Sequence, residues 1–120
     1  MRDIMPEATD YVLLITSDTL GQGSKELGKK LMNSYLHCLS QSETLPSHIL
    51  FMNYGVNLVL DNSDVLEELD TLQNNGVQLK ACGTCLDYYE VKERVAVGQI
   101  GNMYTSVDLM NTAAKVITIG

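Results

Sequence analysis

Short apolar runs alternate along this chain with stretches whose apolar residues recur every three or four positions, and no other feature limits the possible folds so strongly. The first run, Tyr11-Val-Leu-Leu-Ile-Thr16, is apolar on both faces and reads as a buried strand closed by Ser17 and Asp18. After the loop Thr19-Leu-Gly-Gln-Gly23, the pattern changes to Leu27, Leu31, Tyr35 and Leu39. That spacing predicts one apolar stripe on a helix, with Ser24 as N-cap. Ser47-His-Ile-Leu-Phe-Met52 is the second strand, and Asn53-Tyr-Gly-Val56 turns the chain out of it. Val56 to Leu60 fits either a helix start or an extended piece. Ser63 or Asp64 caps a helix carrying Val65, Leu66, Leu69 and Leu72, which ends near Asn74-Asn-Gly76. Val77-Gln-Leu-Lys-Ala81 is the third strand and runs into Cys82-Gly-Thr-Cys85, with a short helix over Leu86 to Glu90. Val95-Ala-Val97 is a weak fourth strand, Val107 to Ala114 the last helix, and Lys115 to Ile119 the last strand.

Strands and helices in alternation require right-handed crossovers and a parallel sheet sandwiched by helices. Such sheets place their working loops beyond the carboxyl ends of the strands. The loops at 17–23, 53–57, 82–85 and 98–104 are therefore expected on one edge. A length of 120 residues encloses one core and is read as one domain over residues 1–120, with residues 1–10 a flexible or peripheral segment.

Charge narrows the function classes. Lys and Arg total 8 against 15 Asp and Glu, a net charge of −7, which repels phosphate backbones and argues against nucleic acid as a partner. The Asp61, Asp64, Glu67, Glu68 and Asp70 run reads as a solvated helix face. The longest apolar run, Tyr11 to Ile15, falls far short of the roughly 20 residues that span a bilayer, so no membrane association is expected. The first residues, MRDIMPEATD, lack the apolar core of an export signal; a cytoplasmic location is the expectation.

Three cysteines make no disulfide framework. Cys82 and Cys85 form a Cys-x-x-Cys pair, while Cys38 reads as helix packing. A structural zinc site needs two further ligands. His37, His48 and Cys38 form no second paired motif, so no metal and no other cofactor is expected. Where a strand gives way to a helix, unpaired backbone N–H groups and the helix dipole favour a thiolate. Gly83 allows a tight turn and close approach of a substrate. A thiolate there could attack a disulfide, accept a sulfane sulfur as a persulfide, or ligate a metal; two packed, inert thiols are the bland alternative. A thioredoxin-like arrangement ranks lower, because the pair follows the third strand and lacks Trp and Pro neighbours.

Gly21-Gln-Gly23 fails as a dinucleotide fingerprint, since Glu26 stands where the third glycine belongs. Gly23-Ser-Lys-Glu-Leu-Gly28-Lys29 fails as a phosphate loop, because Lys30 replaces the magnesium-binding hydroxyl. Gly21 and Gly23 then form a turn, and Gly28 lets helix and sheet pack closely. Asp18 points toward the shared edge, either orienting a bound group or bonding its own backbone as a turn residue. His37 is read as solvated, and His48 lies at the opposite end from the cysteines. Asn102, Met103 and Tyr104 line a thiol pocket or form a subunit contact.

Four segments resemble a known family: Ile15-Thr-Ser-Asp-Thr-Leu-Gly-Gln-Gly23 with Glu26 to Met32; Ile49-Leu-Phe-Met-Asn-Tyr-Gly-Val56; Gly76-Val-Gln-Leu-Lys-Ala-Cys-Gly-Thr-Cys-Leu86; and Val97-Gly-Gln-Ile-Gly-Asn-Met-Tyr104. From Tyr11 onward the chain resembles the DsrE/DsrF-like proteins, most closely the C-terminal domain of the YedF group, described as sulfurtransferase-like selenium-metabolism proteins. The resemblance implies a three-layer α/β/α domain with a five-stranded parallel sheet, and homo-oligomers. In its sulfur-relay members a cysteine directly after the third strand carries a persulfide. Cys82 occupies that position, with Cys85 as a resolving or second thiol and Gly83, Thr84, Asp18, Asn102, Met103 and Tyr104 as substrate-side residues. A TusA/SirA-like protein is the implied sulfur donor or acceptor. YedF-type proteins also carry a small preceding domain with a Cys-Pro-x-Pro motif, which this sequence does not contain. The expected function is a sulfur carrier or sulfurtransferase-like protein. The alternatives are a thiol–disulfide switch using the pair and a non-catalytic oligomeric binding module.

Overall fold

The computed structural model of the chain describes residues 7–8 and 10–120, so most of the expected peripheral segment 1–10 lies outside the described residues. In chain order the elements are β1 (Glu7–Ala8), β2 (Tyr11–Ile15), α1 (Lys25–Ser40), β3 (Thr44–Leu45), β4 (His48–Phe51), α2 (Leu66–Asn74), β5 (Gln78–Cys82), α3 (Gly83–Tyr88), β6 (Gln99–Gly101), α4 (Met103–Thr112) and β7 (Lys115–Ile119). Two 3₁₀ segments, Asn53–Val59 and Lys92–Arg94, join them. β1 and β3 form a small parallel pair, and the other five strands form one parallel sheet in the order β6-β5-β4-β2-β7.

That order fixes the layers. From β2 the chain steps to β4, β5 and β6, always in one direction across the sheet, and then returns past all of them to β7. With right-handed crossovers, the steps in one direction place α1, α2 and α3 on one face, and the return places α4 on the other. The register rows Leu13–Ile49–Leu79 and Ile15–Phe51–Ala81 are buried on the first face. They share one apolar core with Met32, Leu36 and Leu39 of α1, Leu69 and Leu72 of α2, and Leu86 of α3. The second face is thinner: Val12 and Leu50 are buried there, yet the single buried residue of α4 is Ser106. The architecture is the α/β fold with a five-stranded parallel sheet that was expected, and among the described residues no helix is long and apolar enough to cross a membrane.

Several local expectations need correction. Ser24 does cap α1, its Oγ accepting from the Leu27 N–H, but Leu27 and Leu31 are exposed and the buried stripe is Gly28, Met32, Leu36 and Leu39. The two stripes share Leu39 and are otherwise offset by one residue, about 100° of rotation. Gly28 settles the choice by packing on the preceding loop, where a Cβ would lie 2.9 Å from Thr19 Cβ; its partner is that loop and not the sheet. Val95–Val97 is no sheet strand: Val95 bridges Leu60, the Ala96 N–H donates to the Val59 carbonyl, and Gly98 (φ 81°) turns the chain into β6. α2 begins after Val65, whose N–H is held by Ser63 Oγ, one step later than read. α3 starts at Gly83 and α4 at Met103, each earlier than expected. Cys38 is exposed on α1 instead of packed.

Candidate functional site

Cys82 is both the last residue of β5 and the residue that starts α3. Its sheet partner is Gly101, the last residue of β6. The chain leaves β5 toward the face of α1–α3 and leaves β6 toward the face of α4, so these two neighbouring strands diverge to opposite sides. In parallel α/β sheets the crevice outside such a pair of strand ends is where ligands bind. Cys82 therefore stands at the one position of the sheet that topology marks in advance. Two glycines let the strand ends approach closely there: a Cβ on Gly83 would meet the Gly101 carbonyl oxygen and Ile100 Cγ2, both at 3.2 Å, and a Cβ on Gly101 would meet Lys80 Cβ at 3.2 Å.

Cys82 and Cys85 are both half-buried, and their side chains are hydrogen-bonded to each other. The Asn53 main-chain N–H donates to Cys85 Sγ across 3.2 Å. Asn53 follows β4, and its φ of 53° lies in the left-handed region that Asn tolerates better than most residues. Its side-chain oxygen accepts from the Tyr89 hydroxyl, while the Tyr89 N–H donates to the Cys85 carbonyl at 3.1 Å. Tyr54 and Tyr88 pack on the Tyr89 ring with centroids 5.3 and 5.2 Å away. Burial raises the Cys85 thiol above its ordinary value; the Asn53 N–H works against it, and the hydrogen bond and charge of Cys82 push it further up. The thiolate-favouring effect expected of a helix start is outweighed at Cys85, first by burial and then by the neighbouring sulfur.

A family model for the DsrE/DsrF-like family matches residues 11–119. The chain belongs to that family. No curated protein matches its sequence. Solved structures similar to this DsrE/DsrF-like chain include the YchN protein of E. coli, at 18% identity, TM-score 0.61, and coverage of 95% of this chain and 99% of that one. MTH1491 of Methanobacterium thermoautotrophicum, a protein of unknown function, is 18% identical at TM-score 0.62, covering 90% and 96%. BT1422 of Bacteroides thetaiotaomicron, a conserved protein of unknown function, is 14% identical at TM-score 0.63, covering 92% and 95%. At these identities the likeness concerns the fold.

The other expected residues of this DsrE/DsrF-like chain divide into two groups. Gly83 and Thr84 open α3 beside Cys82, and Asn102, Met103 and Tyr104 open α4 across the same crevice, with Met103 and Tyr104 exposed. Asn102 has a job already: its Oδ1 accepts from the Thr105 N–H at 2.9 Å and caps α4. Asp18 shares the sheet edge but follows β2, with β4 between it and β5. Its carboxylate accepts from the Asn57 amide at 2.9 Å, and it lines a cavity of about 310 Å³ that neither cysteine touches. The turn bond expected of Asp18 is made by Ser17, whose Oγ accepts from the Thr19 N–H. Asn53 and Tyr89 were not expected at the site. An Asn directly after a strand hints at a left-handed turn, but nothing in the sequence marks Tyr89. Among the described residues no three His, Cys, Asp or Glu side chains gather as a metal set.

Proposed function

We propose that this protein is a sulfur carrier of sulfurtransferase-like character, with Cys82 cycling between thiolate and persulfide. The observation that carries this reading is the position of Cys82 at the divergence of β5 and β6, half-buried and hydrogen-bonded to Cys85. Membership of the DsrE/DsrF-like family supports the same chemistry. Gly83, Thr84, Met103 and Tyr104 border the approach to the sulfur, and the exposed Met103 and Tyr104 suit a protein surface such as a TusA/SirA-like donor or acceptor. A homo-oligomer working in the cytoplasm is part of the proposal.

The test is brief exposure of the chain, in a Cys38→Ser background, to inorganic polysulfide, followed by alkylation and peptide mass analysis. One added sulfur is expected on the peptide holding Cys82. Cys82→Ser abolishes it and Cys85→Ser retains it. An adduct undiminished in Cys82→Ser overturns the carrier role. The second reading, a thiol–disulfide switch, is favoured by the hydrogen bond that sets the two sulfurs side by side. It requires both cysteines equally, which Cys85→Ser distinguishes.

A further inference from the structure

The most elaborate hydrogen bonding at the site is spent on Cys85, the cysteine a pure carrier does not need. Asn53 N–H reaches its sulfur, Tyr89 N–H reaches its carbonyl, and the Tyr89 hydroxyl closes the circuit on Asn53 Oδ1. Asn53 is held in a left-handed conformation, so its N–H points away from the 3₁₀ segment that it begins and into the sulfur. An N–H fixed on a sulfur lowers the cost of negative charge there by the usual margin of a charge-assisted hydrogen bond. Such a device suits a thiol that must ionise during a reaction.

We propose that the pair discharges its own cargo: once Cys82 carries a persulfide, Cys85 attacks it and releases sulfide. The inference rests on the carrier reading above. In the step, Cys85 gives its proton to solvent and its Sγ forms a bond to the inner sulfur, Cys82 Sγ. The bond from Cys82 Sγ to the outer sulfur breaks, and the outer sulfur leaves with the electron pair as hydrosulfide, which takes up a proton. Cys85 is oxidised, the outer sulfur is reduced, and the chain ends as a Cys82–Cys85 disulfide. The persulfide is itself the oxidant, so one turnover needs no other reagent; a dithiol reductant resets the pair. The Asn53 N–H stabilises the Cys85 thiolate that attacks, and Tyr89 is a positioning residue that holds Asn53.

Loading also prepares the attack. In the unloaded pair, burial raises the Cys85 thiol, and the hydrogen bond and charge of the neighbouring Cys82 raise it further. A sulfur bonded to Cys82 moves any charge one bond outward and so weakens that added effect, while the Asn53 contact stays. The titratable groups facing Cys85 are Cys82 and Tyr89, with Tyr54 and Tyr88 around the Tyr89 ring.

The test loads the full chain (Cys38→Ser background) with inorganic polysulfide, removes the excess, and follows sulfide and intact mass over time without reductant. The expected wild-type result is decay of the one-sulfur adduct to a species two hydrogens lighter than the reduced chain, with one sulfide released per chain. Cys85→Ser keeps the adduct and releases none. Tyr89→Phe slows release roughly tenfold, the scale of one hydrogen bond to a charged group, and moves the pH profile of release to higher pH. Equal lifetimes of the adduct in wild type and Cys85→Ser overturn self-discharge and leave the carrier reading standing. No adduct even in Cys85→Ser overturns both. Release in Tyr89→Phe with unchanged rate and pH profile overturns the positioning role.

Discussion

Asn102 shows how one side chain can look like a ligand-binding group and act as a helix cap. Its Oδ1 is bound to the Thr105 N–H, so the residue is engaged before any substrate arrives. Asn102→Asp keeps the acceptor and should leave stability within a few tenths of a kcal/mol. Asn102→Ala should cost about 1 kcal/mol in urea unfolding while sulfur loading of Cys82 stays at the wild-type level. Loss of loading in Asn102→Ala at temperatures where the protein remains folded would return the residue to the substrate side. The cap was legible in principle, since an Asn precedes the helix. Tyr104, Thr105 and Val107 hid it, because their weak helix propensity delayed the expected start to Val107. Cys82 was legible for a better reason: an apolar run ending at a Cys-x-x-Cys pair admits few other placements. Asn53 and Tyr89 were not, because a left-handed residue and a tyrosine contact 36 residues away exist only after the chain has closed on itself.

Among the elements, the 3₁₀ segment Asn53–Val59 links the sheet to the site more directly than any helix. The Met52 N–H donates to the Ile15 carbonyl and the Gly55 N–H returns to the Met52 carbonyl, so the segment is folded over the end of β2. A Cβ at Gly55 would lie 2.3 Å from the Ile15 oxygen, and neither backbone can yield without breaking those bonds. Gly55→Ala should therefore cost at least about 1–3 kcal/mol, the range of an overpacked interior. It should also alter the alkylation rate of Cys85, since the first N–H of the same segment serves that sulfur. Wild-type urea midpoint and wild-type alkylation together would show that the segment is tied less tightly than these contacts state. Most of the alternating strands and helices were readable from the sequence, yet this element was ambiguous. Val56, Leu58, Val59 and Leu60 are all buried, and a run buried on every side carries no period to read. The same limit explains the fourth strand: β6 has the sequence Gln-Ile-Gly with an exposed pattern, so the apolar Val95–Val97 before it drew the assignment.

At the scale of the whole molecule, one return crossover explains both the site and an unfinished surface. Because only the step from β6 to β7 runs backward, α4 is the one helix on the second face among the described residues, and it buries little more than Ser106 while Met103 (52%) and Val107 (43%) stay exposed. β7 beside it is an edge strand paired only with β2, and its Val116 is exposed as well. Apolar side chains left exposed on this face are stabilised by removal from water, at roughly 25 cal/mol per Å². A second copy of the chain is the occupant that the proposed homo-oligomer supplies, and α4 begins at the crevice, so such an interface would border the thiols. Val107→Glu places a charge at the centre of that surface in a chain already at −7. By sedimentation equilibrium the wild type should be a multiple of the chain mass and Val107→Glu should shift toward the monomer, with an unchanged circular dichroism spectrum. A wild type that sediments as a monomer at tens of micromolar would reject the oligomer, and an oligomer indifferent to Val107→Glu would move the interface to another face, the exposed Leu27 and Leu31 of α1 being the next surface to substitute.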